Sequence, residues 1–293
     1  MNGALLQILL SGVAAGCIYG LIALGFVLIY KATETVSFAQ GDLMMVGGFV
    51  ALLLLNSWSL SLWLALPLTV LSMALVGWLL ERVMVRPVLG QPAFSIVMLT
   101  LGIGYLLRGL VTMLPGVGTE THALQLPYAG QTLQLGTAVL ASEQLIVVAV
   151  TLLLSGGLFL LFRFSKVGVA MQAASQNQLA AYYMGIPVRR LNGLIWGLAA
   201  GVAGLAAVLL APVTFVHANM GFIGLKAFPA AVVGGFGSLP GAIVGGVIIG
   251  VVESLAGFYL PEGFKDVSAY VLVLVMLALM PHGLFGERLA KKV

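Results

Sequence analysis

Charge is what this sequence has least of. Its 293 residues include 13 Lys and Arg and 9 Asp and Glu, 8% in all, against 61% hydrophobic residues. Soluble domains carry about 25% charged residues, so a soluble fold is excluded. Cysteine occurs once, at Cys17, and no internal disulfide can form. The three histidines, His122, His217 and His282, stand far apart and lack the local spacing of metal ligands. Gly-Lys never occurs as a dipeptide, so the phosphate loop GxxxxGKS/T is absent. GxSxG, HExxH and CxxC are absent too, and with them the commonest signatures of hydrolases, metalloproteases and redox enzymes. No catalytic residue or metal ligand is assigned, and the chain is not expected to be an enzyme. The acidic residues form no row of the kind a proton relay uses. Met1-Asn2-Gly3-Ala4 lacks a basic region, so the first apolar run is expected to stay in the protein rather than be cleaved as a signal peptide.

Long apolar runs take the place of charge. They lie at 5–30, 41–57, 60–80, 93–113, 141–162, 191–212, 222–237, 241–260 and 268–282. Runs near 20 residues read as membrane helices. Inside lipid the backbone must satisfy its own hydrogen bonds, and unbroken rather than alternating runs select helices over a barrel. The expectation is one all-α domain, residues 1–293, a polytopic transmembrane bundle of about eight or nine segments. Segments 222–237, with Lys226 and Pro229, and 268–282 are short for full crossings. Basic residues collect at Lys31, Arg82, Arg86, Arg163, Lys166, Arg189, Arg190, Arg288, Lys291 and Lys292. The positive-inside rule puts these, the 163–190 segment and the C-terminus in the cytoplasm, and loop 114–140 outside. That loop, rich in Gly, Thr and Gln, is expected to form short strands or a hairpin around Ala129-Gly130. The net charge of +4 follows from this topology and implies no nucleic-acid partner. Val46-Gly47-Gly48-Phe49 returns as Val233-Gly234-Gly235-Phe236, which raises an inverted repeat.

Glycines recur four apart. Gly12, Gly16 and Gly20, then Gly197 and Gly201, then Gly241 and Gly245 each line a helix face, a spacing that lets backbones pack closely. Residues 163–192 are the one long polar stretch. Within it Ala170, Ala173, Ala174, Asn177, Ala180, Ala181 and Met184 make a small-residue stripe on an expected four-turn helix, 170–184. Gly185 and then Pro187 should stop that helix. Such a helix suits insertion into a partner's groove. The polar run 31–42 separates the first two spans. It reads equally as a cytoplasmic turn or as a broken helix whose polar groups, Ser37 and Gln40 among them, face a pathway. Three charges fall well inside spans, away from their first few positions. Arg108 is near enough to its helix end to snorkel. Glu253 is too deep for that and calls for a cation, with Lys226 and Arg108 both eligible.

Several stretches together resemble the permease subunits of branched-chain-amino-acid-type ABC importers, LivH-like chains in particular. They are GVAAGCIYGLIALGFVLIY (12–30), VSFAQGDLMMVGGF (36–49), ERVMVRPVLGQ (81–91), AAVVGGFGSLPGAIVGGVIIGVVES (230–254) and MPHGLFG (280–286). The resemblance implies a bacterial inner-membrane importer for branched-chain amino acids or related small solutes. It implies as partners a homologous LivM-like permease, two ABC ATPase subunits that bind ATP and Mg, and a periplasmic solute-binding protein. No cofactor is expected on this chain itself. It also implies that MQAASQNQLAAYYMGIP (171–187) couples to the ATPase through Gln172, Ala173, Ser175, Gln176, Asn177, Gly185 and Ile186. Ser37, Gln40 and Glu253 are the pathway candidates. Gln172, Gln40, Ser37 and Met280 stand where the family often has Arg, His, Asn and Arg. A transporter or channel working without an ATPase is the alternative.

Overall fold

The computed structural model describes residues 2–135 and 138–286; Arg288, Lys291 and Lys292 lie outside them. Seven of its helices are long and apolar enough to cross a membrane. α1 (Asn2–Thr33), α2 (Gln40–Leu52, continued by a π turn to Ser57) and α8 (Val188–Thr214) are the most buried and form the centre. α3 (Leu62–Leu80, with tighter and wider turns to Val88), α4 (Ala93–Thr112) and α5 (Ser142–Phe164) turn broad apolar faces outward. α9 (Phe222–Gly234) and α10 (Leu239–Tyr259) form a hairpin, and α11 (Phe264–Leu279) packs on it. α9 and α11 have 13 and 16 residues, fewer than the roughly 20 of a full crossing.

Bare backbone holds the centre together. α1 and α10 run antiparallel with glycine against glycine: a Cβ built on Gly16 would stand 2.6 Å from the Val247 Cα, and one on Gly12 2.9 Å from the Val251 Cα. Gly20 faces Ile243 in the same seam. α8 meets α3 in the same manner, with Gly197 under the Ala74 carbonyl and Gly201 against Val70. Gly241 and Gly245 lie on the backbone of α9 at Gly234 and Ala230. Lipid gives helices no hydrophobic reason to associate, so close packing of this kind is what binds them.

Loop contacts fix which helix ends share a face. Asn56, at the end of α2, donates to the Ala123 carbonyl at 2.9 Å, and His122 pairs with Val216 just beyond α8. Gln144, at the start of α5, donates to Ser11 of α1 at 3.1 Å. The start of α1 therefore shares one face with segment 113–141. The expected hairpin forms there slightly later than Ala129-Gly130: β1 (Thr132–Leu135) pairs antiparallel with β2 (Ala138–Ala141). On the opposite face lie Lys31, Arg82, Arg86, Arg163, Lys166, Arg189 and Arg190. There Arg86 clamps the fully buried Glu81 at 2.7 Å and donates to the Arg189 carbonyl at 3.1 Å, joining the ends of α3 and α8. The two copies of Val-Gly-Gly-Phe sit on oppositely directed helices but differ locally. The first is mid-helix in α2, whereas the second ends α9, with Gly235 at φ 93.

Candidate functional site

Four polar features break the apolar bundle. The first is the gap between α1 and α2. The chain leaves α1 through Glu34 at φ 53 and folds back into the bundle instead of staying at the surface. Ser37 and Gln40 are 1% and 0% exposed. The Phe38 amide donates to Thr100 Oγ1 of α4 at 3.1 Å, and Gln40 Nε2 donates to the Ala199 carbonyl midway along α8 at 3.0 Å. Gln40 fits only because position 25 of α1 is glycine: a Cβ there would overlap its amide. Segment 31–42 thus links two oppositely directed helices and tucks Ser37 and Gln40 into the bundle. Ser37 Oγ and Gln40 Oε1 are buried with no hydrogen-bond partner among the described residues.

The tucked-in turn sets a charge against the interior of the bundle. Asp42, in the first turn of α2, takes a hydrogen bond from Arg108 Nη2 at 2.7 Å. The guanidinium also lies 4.0 Å from the Phe222 ring centroid and 5.7 Å from that of Tyr105. Arg108 thus does not snorkel. A carboxylate delivered into the bundle attracts it more strongly than the distant headgroup layer, and its side chain turns inward. Gly104 and Gly221 leave the room that the pair occupies.

The third feature is a cavity of about 420 Å³ toward the face of segment 113–141. Ala14 and Ile18 of α1, Val147 of α5, Leu210 of α8 and Ile223 of α9 supply its apolar wall. Glu253 of α10 stands at its polar corner, 5% exposed. Its cation is Lys226, not Arg108: Lys226 Nζ lies 3.9 Å from Glu253 Oε1 and 2.5 Å from Asp266 Oδ1 of α11. Tyr19 interacts with the same Glu253 carboxylate. Glu143, Gln144 and Lys265 rim the opening. In the 113–141 segment, burial aided by the Glu143 charge pushes the Tyr128 phenol up to about 12.

The fourth is the polar stretch on the basic face. Instead of one four-turn helix there are two, α6 (Lys166–Gln176) and α7 (Gln178–Tyr183). Ser165 caps α6 by accepting from Gly168 N at 3.1 Å, and Asn177 breaks the run by capping α7, accepting from Ala180 N at 2.9 Å. An asparagine oxygen competes well for a free helical amide. Gly185, at φ +84, ends α7 as its position before Pro187 implied. The small-residue stripe is split between two environments: Ala174 and Ala181 are buried, as is neighbouring Met171, whereas Asn177, Ala180 and Met184 are exposed. Gln172, Gln176, Asn177 and Gly185 are exposed, while Ala173, Ser175 and Ile186 are half-buried. The outward surface of α7 is large and apolar, with Leu179, Tyr182, Tyr183 and Met184 between 65% and 83% exposed. Gln178 ties α7 to the end of α1 by donating to the Ala32 carbonyl at 3.1 Å.

These features are distributed, not convergent. Ser37 and Gln40 lie deep at the centre, Glu253 in the cavity near one face, and the 172–186 residues on the other face. Among the described residues no cluster of His, Cys, Asp and Glu fits a metal. Seven membrane-length helices with polar groups buried among them and two differently equipped faces are what the structure presents. Residues 8–280 match the family model for the permease component of the branched-chain amino acid transport system. The chain belongs to that family. The permease is 31% identical over 302 residues to LivH of Salmonella typhimurium, a high-affinity branched-chain amino acid transport system permease protein, covering 98% of this chain and 97% of that one. It is 29% identical to BraD of Pseudomonas aeruginosa, of the same description, covering 98% of each. A probable LivH of Methanocaldococcus jannaschii is 31% identical over 91% of this permease and 88% of its own length.

Proposed function

We propose that this permease is the membrane-spanning subunit of an ATP-driven importer for branched-chain amino acids or a closely related small amphipathic solute. The observation that carries the reading is its near full-length likeness to relatives that are named transport permeases of that one class. The basic face is cytoplasmic, in a bacterial inner membrane, with the C-terminus on that side. A second, homologous permease completes the channel. Two ATPase subunits, which hold ATP and Mg, dock on the cytoplasmic face, and a solute-binding protein delivers its cargo to the opposite one. α6, α7 and the turn to Ile186 couple to the ATPases. There the exposed Leu179, Tyr182, Tyr183 and Met184 offer a large apolar contact in an otherwise polar segment. ATP and the loaded binding protein shift the bundle between outward-facing and inward-facing states by binding them unequally. Ser37, Gln40 and Glu253 border the route.

Reconstitution tests this. Proteoliposomes holding the full complex should take up labelled leucine only with ATP, and those lacking the ATPases should not. Uptake driven by an ion gradient in the absence of ATPases would replace this reading with that of a secondary transporter.

A further inference from the structure

Glu253 and its lysine are matched loosely for so deep a pair. A buried carboxylate demands a compensating cation, yet Lys226 stands 3.9 Å from it, beyond hydrogen-bonding range. The short contact of that lysine is instead with Asp266, which is 64% exposed on its side chain. So the cavity presents an acceptor and a donor side by side, each with spare capacity, at the foot of an aliphatic wall made by Ala14, Ile18, Val147 and Leu210. Its volume of about 420 Å³ lies in the roughly 300–1,000 Å³ range of small-molecule sites, and so does its make-up, apolar walls with few convergent polar groups. Glu253 is six residues from the end of α10, roughly 9 Å of helix rise, within reach of the opening at Gln144 and Lys265.

We propose that this cavity binds a small aliphatic α-amino acid as its zwitterion, with Glu253 taking the ammonium, Lys226 the carboxylate and the apolar wall the side chain. The proposal rests on the importer reading and names the substrate class and two of its contacts. Charge balance favours a zwitterion over a simple ion. The charged groups lining the cavity, Glu143 and Glu253 with Lys226 and Lys265, sum to zero, and Asp266 lies outside the lining, 64% exposed on its side chain, so a ligand of net charge would unbalance the site. A zwitterion replaces a stretched pair with two direct contacts. Asp266 then keeps a hold on Lys226 while the cavity is empty. Affinity is modest by necessity, because a site on a transport route has to release what it binds.

The test uses the full chain in lipid nanodiscs, with Thr214→Cys on the cavity wall as reporter and the buried Cys17 as background. Maleimide labelling is timed with L-leucine, with isocaproate, which lacks the ammonium, and with isoamylamine, which lacks the carboxylate. At about twice its Kd, L-leucine should slow labelling about threefold, the factor 1 + [L]/Kd. The two truncated ligands at the same concentration should leave it unchanged. Glu253→Gln and Lys226→Met should each abolish protection. Equal protection by isoamylamine or isocaproate, or none by L-leucine up to its solubility limit, overturns the assignment, and both are read on the unmutated cavity, so a misfolded variant cannot obscure them. ATP-driven uptake by the assembled complex is measured alongside. Uptake without protection removes the binding site and leaves the importer standing, whereas protection without uptake removes the importer and leaves the site.

Discussion

At the scale of single residues, the interior of this permease turns on positions where a side chain is missing. Gly16 lies so close to Val247 that its Cβ would come within 2.6 Å of backbone. Gly16→Leu should therefore cost about 1–3 kcal/mol, as overpacking does, read as a lower midpoint in detergent thermal unfolding. The same substitution at Gly102, which has open space around it, should leave the midpoint unchanged. Asp42 and Arg108 make the opposite case, two charges that need each other. Asp42→Asn should lower stability by up to about 3 kcal/mol because it strands a largely buried guanidinium, and Asp42→Glu should recover much of the loss. The sequence announced Arg108 and concealed its partner. Asp42 stands 66 residues away, at the very start of an apolar run, and only the inward fold of 34–39 sets it against α4. Glu253 was legible as a residue in need of a cation, since its depth follows from span length. Choosing Lys226 over Arg108 required the α9–α10 hairpin.

Elements were more legible where periodicity or length was strong than where a cap decided. The seven long helices fall close to the apolar runs, because hydrocarbon tolerates little else. The break at Asn177 is signalled by residue type, since asparagine favours helix starts over interiors, but the small-residue periodicity through it masks that signal. Asn177→Ala should cost about 1 kcal/mol of local stability, seen as faster hydrogen exchange across 178–183, and Asn177→Asp should retain protection. The break at Asn177 also divides the stripe, so its members do not share one face. Small residues at Ala174 and Ala181 let α6 and α7 close on the bundle, which leaves the large ones outside. Replacing Tyr182 and Tyr183 with serine should leave membrane insertion intact and abolish co-purification with the ATPases. Unchanged co-purification would place the contact elsewhere.

Across the whole molecule, the charge asymmetry predicts sidedness. Gln176→Cys and Thr119→Cys, both exposed and on opposite faces, should react with a membrane-impermeant maleimide from opposite sides, with only Thr119→Cys accessible in intact cells. Reaction of Gln176→Cys in intact cells would invert the topology and remove the ATPase-docking role of α6 and α7. Overall architecture was the most legible level, since composition alone dictated a helical membrane bundle. How the nine apolar runs divide into full and partial crossings was not, because a run does not reveal where it enters the bundle.

The glutamine at 40 rests on the bare α-carbon at 25, and this makes the two positions a single unit of inheritance. A hybrid spliced between residues 26 and 39 from two relatives will assemble when both parents fill that spot with side chains of matching bulk, and will fail when the donor of the first helix carries even a methyl group there. Recombination breakpoints tolerated in this stretch should accordingly fall before 25 or after 40.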